Sequence, residues 1–366
     1  MEKSYRYSIS IDNYESSIKL DINEYNFEHP LEFYVTLFQA IQKPKTLTHY
    51  SNMFCDEHIR LIKNLAKKVN LSEENVLLTP GSDAALEYIS TCLFSNDNTT
   101  LFYFVPNYSY MVDYLTKHKK NHIETIAFDV LHDRYKLSAY LDKHTNINDN
   151  DVIYISNPNN PTGLYVDKNE IELCLTKYSK INFVIDEAYI EFMGDTHSIC
   201  SLVTTFPNLY IVRTFSKSYG IAGLRLGYIL SQKQNINFIH NNALNEASLT
   251  ELSKCAGNYI LEHLPYYNKI IQNTIDNRSF FFNFLKENNI FYIPSNANFV
   301  SIYIGNNCGD FTHKLQEKGI IVRNKTKDTN MYGFVRITIG TSEQMILLCS
   351  SILEYGIHMI ESKSNL

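Results

Sequence analysis

Short, largely apolar runs rich in β-branched residues recur through the first 230 residues, and their spacing constrains the fold more than any other feature. They are Val76–Thr79, Leu101–Val105, Val152–Ile155, Phe183–Ile185, Leu209–Arg213 and Arg225–Leu230, bounded by Asn, Pro, Gly and Asp. A strand with no polar face has nothing to offer water, so such runs belong inside a sheet covered on both sides. Between them, residues 83–94, 107–118 and 168–179 are long enough for the helical crossovers that parallel strands require. The alternation predicts an α/β domain on a mostly parallel sheet. Past about residue 255 the texture changes. A long helical segment ending in FFFNFLKE is followed by strand-like runs at Phe291–Ile293, Phe299–Ile304, Ile320–Arg323 and Phe334–Ile339, with helical stretches at 310–318 and 343–354. This predicts a smaller α+β domain. The expected division is an N-terminal arm, 1–45, contributing to the small domain, then a large domain, 46–255, and the small domain, 256–366.

Composition removes several classes of function. The net charge is −6 with both signs interspersed, and the absence of a basic stripe argues against a nucleic-acid partner. The seven cysteines are scattered and form no CxxC pair, so neither a disulfide framework nor a metal site is expected. No apolar run reaches the roughly 18 residues of a membrane span, and MEKSYRYSIS lacks a signal-peptide core. A cytoplasmic protein without a membrane partner is the expectation.

Four motifs carry chemistry. In TPGSDAALEYI (79–89), a strand and a glycine open a helix, where free N–H groups and the helix dipole favour a phosphate. The stretch has no GxxxxGK[ST], which excludes a nucleotide P-loop. SNPNNPTG (156–163) makes a rigid turn at a strand's carboxyl end and presents Asn160 on fixed backbone. In FVIDEAYIEF (183–192), Asp186 closes an apolar strand; a carboxylate there needs a cationic partner such as a protonated pyridine nitrogen, or else it caps the next helix. In RTFSKSYGIAGLRLGY (213–228), Ser216 and Lys217 emerge from a strand end, the side on which open α/β sheets bind ligands. Each motif alone also reads as an ordinary turn, cap or surface lysine.

Together, in this order, the four motifs resemble the fold-type I pyridoxal-phosphate (PLP) aminotransferases, most closely the histidinol-phosphate aminotransferase family, from about Leu20 to Thr341. The resemblance implies an aspartate-aminotransferase-like fold with a seven-stranded, mostly parallel sheet in the large domain. It implies that Lys217 carries PLP as a Schiff base and moves a proton, that Asp186 pairs with the ring nitrogen, and that Tyr189 and Asn160 hold the phenolate oxygen. Tyr108 would stack on the ring. Ser82, Asp83 and Ala84, with Ser216 and Arg225, would bind the cofactor phosphate. Tyr50 would reach that phosphate from a second subunit, making a homodimer with shared active sites. Arg336 resembles the arginine that grips an α-carboxylate, and Arg323 one that holds a distal anion; Asn298 is a further candidate for the pocket. Glutamate and a small phosphorylated compound, either histidinol phosphate or a keto phosphate such as dihydroxyacetone phosphate, are the substrates this implies.

The chain departs from the family on the substrate side. NEYNFEHP (23–30) stands where an Asn-Glu-Asn-Pro-like stretch is common, Ser51-Asn52 replaces Pro-Asp after Tyr50, and Ala84 replaces an acidic residue. NNALNEASLTELS (241–253) lacks the proline usual in a pocket-lining loop. A phospho-amino-acid decarboxylase similar to the threonine-phosphate decarboxylases would use the same residues, since the orientation of the bond that breaks decides between them. A non-catalytic PLP-binding regulator would need a basic N-terminal module, and only about 45 residues precede the expected large domain.

Overall fold

The computed structural model describes residues 16–44, 46–96, 98–120, 122–128, 136–144, 146–244 and 248–362. Part of the predicted N-terminal arm and three residues of the 241–253 stretch lie outside them. Strand β1 (Ile18–Leu20) precedes helices α1 (Leu31–Gln42) and α2 (Asp56–Val69). Strands and helices then alternate: β2 (Val76–Thr79), α3 (Gly81–Leu93), β3 (Leu101–Val105), α4 (Tyr110–Lys117), β4 (Ile123–Ala127), α5 (Leu137–Leu141), β5 (Val152–Ser156), α6 (Lys168–Lys177) and β6 (Asn182–Asp186). Next come β7 (Leu209–Thr214), β8 (Gly227–Leu230), α7 (Lys233–Asn242), α8 (Glu251–Glu262) and α9 (Leu264–Glu287). The chain closes with β9 (Tyr292–Ile293), β10 (Phe299–Tyr303), α10 (Cys308–Glu317), β11 (Ile320–Asn324), β12 (Phe334–Thr338) and α11 (Ser342–Tyr355).

Seven strands form one sheet in the order β2-β8-β7-β6-β5-β3-β4. Only β8 runs against its neighbours. Strands β2, β3, β5, β7 and β8 bury every residue, which is why they read as unbroken apolar runs. The seventh strand, β4, is not one of the six runs seen in the sequence. It lies on the sheet edge with half-open residues, and Glu124 and Thr125 interrupt its apolar character. A second correction concerns Arg225: it stands before β8, in the left-handed conformation (φ 50°) that ends a short 3-10 turn, Ala222–Leu224. The long C-terminal helical segment is two helices, broken at His263 with Pro265 near the start of the second, where a missing N–H costs nothing.

The second sheet has the order β1-β11-β12-β10-β9, with β1 parallel to β11 and the other pairs antiparallel. Leu20 joins the core of this sheet, whereas Phe33 on α1 packs into the core of the larger one. Helix α9, about 36 Å long at its 24 residues, bridges the two. Tyr267 and Ile271 bury in the first core, Phe281 and Leu285 in the second.

Candidate active site

The carboxyl ends of β5, β6 and β7 converge because register pairs Ser156 with Asp186 and Asp186 with Val212. Asp186 is buried there, accepting from Ala188 N–H at 3.0 Å and from Tyr154 Oη at 3.3 Å. Burial pushes its carboxyl up to about 7. Among the described residues no cation pairs with it. One residue along, Glu187 makes a different choice. It forms a buried ion pair with Arg213 of β7 (2.8 Å) and accepts from Ser198 Oγ (2.8 Å), tying the ends of β6 and β7 together beneath the site.

Lys217 follows β7 in a turn shaped by Thr214, whose Oγ1 donates to Ser216 Oγ and accepts from Ser216 N–H. The lysine amine donates to Ile22 O at 3.1 Å. Burial first, then the neighbouring Arg336, push it down to about 8. Across the crevice α3 begins at Gly81, whose φ of +84° suits glycine. A Cβ on Gly227 of β8 would come within 2.6 Å of Gly81 C and 2.8 Å of Ser82 N, so two glycines let the strand lie against the helix start. Arg225 and Tyr108 meet on Asp83: Nη2 of the arginine at 3.2 Å from Oδ2, the tyrosine hydroxyl donating to Oδ1 at 2.9 Å.

The second sheet supplies the opposite wall. Arg323 of β11 and Arg336 of β12 are direct cross-strand partners, which places both guanidinium groups on one face. Arg336 donates from Nη1 to Asn160 Oδ1 and from Nη2 to Asp21 O, both at 2.6 Å, while its buried Nε has no hydrogen-bond partner among the described residues. Asn160 thereby keeps its amide N–H groups for another acceptor. Tyr189 accepts a hydrogen bond from Asn23 Nδ2 at 3.0 Å, and burial pushes its hydroxyl up to about 12.

These groups line one cavity of about 730 Å3. Ser82, Asp83, Tyr108, Asn160, Asp186 and Tyr189 are on it, as are Ser216, Lys217, Arg225, Arg323 and Arg336. Three expected residues are not. Ala84 is one turn-position removed along α3, and Asn298 stands behind the wall, donating from Nδ2 to Asn23 O at 3.2 Å. Tyr50 is 89% exposed on the outside of the chain. Sequence reasoning missed Ile22, Asn23, Glu24, Asn107, Lys325 and Asp328, all on the lining. Asn23 and Glu24 had a signal, since they match the first two positions of the Asn-Glu-Asn-Pro-like stretch that the chain otherwise loses.

A strand-end lysine, a buried carboxylate that no cation pairs with among the described residues and a pair of arginines on one cavity are the groups that a PLP enzyme requires. The profile of "Aminotransferase class I and II" matches residues 15–352. A histidinol-phosphate aminotransferase of Clostridium botulinum is 30% identical over 350 residues, 92% of this chain and 91% of its own. The chain belongs to the class I and II aminotransferases and, within them, to the histidinol-phosphate aminotransferase family. The fold is shared with the histidinol-phosphate aminotransferase from Sinorhizobium meliloti in complex with pyridoxal-5'-phosphate, at a TM-score of 0.81 and 21% identity over 97% of this chain and 96% of that one. It is shared also with the L-threonine-O-3-phosphate decarboxylase from Porphyromonas gingivalis, at 0.76 and 20% identity over 92% and 99%.

PLP is the cofactor of this class, and the residues fit it. The Asp186 carboxylate lacks the cation that a pyridinium would be. The first N–H groups of α3 have no acceptor within their own helix, and the Arg225 guanidinium lies against Gly81 at that helix start. Lys217 stands on the same cavity with an amine that is partly neutral near pH 8.

Proposed function

We propose that this aminotransferase moves an amino group between glutamate and a small phosphorylated partner, histidinol phosphate or a keto phosphate such as dihydroxyacetone phosphate. The observation that carries the reading is the pairing of Arg323 with Arg336 across β11 and β12, facing the same cavity as Lys217. Two cations side by side suit a ligand with two anionic ends. Arg336 grips the α-carboxylate of the amino acid as a fork, using Nε and the face not engaged by Asn160 and Asp21. Arg323 takes the distal anion, a side-chain carboxylate in one half-reaction and a phosphate ester in the other.

When bound, PLP supplies an aldehyde that exchanges amines and a ring that takes up electron density from the substrate Cα. Lys217 would hold that aldehyde through its amine and, once freed by a substrate amine, would take up and return the proton at the substrate Cα. A lysine near 8 can both accept and return that proton. Asp186 would pair with the ring nitrogen and keep it protonated. Asn160 and Tyr189 donate to the phenolate oxygen, with Asn23 orienting the tyrosine. Ser82 and Asp83 would offer backbone N–H groups to the phosphate, joined by Ser216 and Arg225, and Tyr108 would cover the ring face. Glutamate given alone to the holoenzyme should bleach its visible absorbance as the cofactor passes to its amine form. No bleaching with glutamate, together with carbon dioxide release from threonine phosphate, would replace transamination by decarboxylation. Screening keto phosphates against the amine form then separates the candidate acceptors.

The functional unit of this proposal is a homodimer. Leu31, Tyr34, Val35, Phe38 and Ile41 form an exposed stripe at helical spacing along α1, and Leu47, Tyr50 and Phe54 continue the exposed apolar surface in sequence. An exposed apolar stripe of this length is what a protein interface buries. Tyr50, outside its own cavity, is then available to the phosphate site of the second copy.

A further inference from the structure

The distal end of the cavity carries more positive charge than one carboxylate needs. Arg323 and Arg336 stand side by side, and Lys325, two residues past Arg323, lies on the same side of the extended chain. Its N–H donates to Phe334 O at 2.9 Å, which holds residue 325 in the ladder beyond the end of β11. All three cations line the cavity, as does the exposed Lys327 further along the same loop. The carboxylates near them are Asp328, on the lining, and Asp21, buried beside Arg323 and Arg336.

The side chain of Lys325 is only 12% exposed, and its amine is ion-paired with Asp328. Burial pushes this lysine down to about 8; repulsion from Arg336 adds to that, and Asp328 opposes it. The pairing is local. Asp328 N–H donates to Lys325 O at 2.9 Å, and the far side of the loop is pinned by Met331, buried against Phe334 and Tyr303. The ammonium can therefore change partner by rotating its own flexible stem while the loop stays in place.

We propose that Lys325 lets one anion pocket serve two ligand classes, staying on Asp328 when a carboxylate occupies Arg323 and turning to the ligand when it is a phosphate monoester. The inference rests on the phosphorylated substrate of the preceding section and names the residue that selects it. A carboxylate brings one negative charge, which Arg323 meets alone. A phosphate dianion brings a second charge and a third acceptor oxygen, and it outcompetes a lone carboxylate for the ammonium. Asp328 is then the resident substitute for that second charge, keeping Lys325 paired while glutamate is bound.

The test measures competition with glutamate in the holoenzyme by two pairs of compounds: histidinol phosphate with histidinol, and dihydroxyacetone phosphate with dihydroxyacetone. Wild type should prefer the phosphorylated member of at least one pair. Lys325→Met should cut that preference by roughly ten- to a hundredfold, the worth of one charge-assisted bond. Asp328→Asn, which frees the ammonium, should raise it. A gain in one variant opposed to a loss in the other is not what a damaged loop produces. A preference kept in Lys325→Met, or lowered in both variants, overturns the role of Lys325 alone. A wild type indifferent to the phosphate in both pairs overturns this inference and the phosphate reading together.

Discussion

Single residues at this site hold protonation states that folding alone would not choose. Asp186 is raised to about 7 by burial, above the value near 4 that it has in an unfolded chain. Between those values the folded cofactor-free protein holds more protons than the unfolded one, so its stability falls as pH rises through that window. Asp186→Asn should thus stabilise the cofactor-free protein at pH 8 by about 1–3 kcal/mol, with the gain vanishing toward pH 4, in chemical denaturation followed across pH. The same variant should bind PLP poorly, since the ring nitrogen loses its counter-charge. Lys217 is shifted the opposite way for the same reason, burial penalising its charge. Lys217→Ala should lose activity by roughly 10³-fold or more and leave no borohydride-trapped adduct at any lysine in peptide mapping. An adduct at another lysine would move the attachment point and undo the assignment.

At the scale of elements, the site exists because strand ends and one helix start are held at fixed separations. The Glu187–Arg213 pair joins β6 to β7 just behind Asp186 and ahead of Lys217, and Gly227 lets β8 press against the opening turn of α3. A methyl at 227 meets backbone atoms on both sides, so the helix start must shift and carry its N–H groups away from the phosphate. Gly227→Ala should therefore retain the fold's helix content but lose PLP on dialysis, with affinity lower by about tenfold or more, read by cofactor absorbance. The element boundaries also show where local sequence misleads. Strand β4 is not legible as an apolar run because an edge strand can keep Glu and Thr facing water, and the run Arg225–Leu230 starts ahead of β8 because a left-handed residue leaves no mark in an apolar pattern.

For the whole molecule, the cavity is a joint product of two sheets that α9 bridges and of residues 21–24, which run between them. The proposed dimer would add Tyr50 from a second copy. Co-expressing Lys217→Ala with Tyr50→Ala should yield mixed dimers in which one site regains both groups, with activity above either parent; no recovery on subunit mixing, with each parent folded, would confine Tyr50 to its own chain. What the sequence determined was everything that a contiguous run can encode: the apolar strands, the glycine at the helix start, and the placing of Asp186, Asn160 and Lys217 at strand ends. Those follow from burial and backbone sterics acting over a few residues. Tertiary structure alone decided the partners. Asn23 reaches Tyr189 across 166 positions and Arg336 reaches Asn160 across 176, and the pairing of Arg323 with Arg336 depends on the register of β11 and β12. Hydrogen bonds and charges act through space, and only the closed chain makes those distances short.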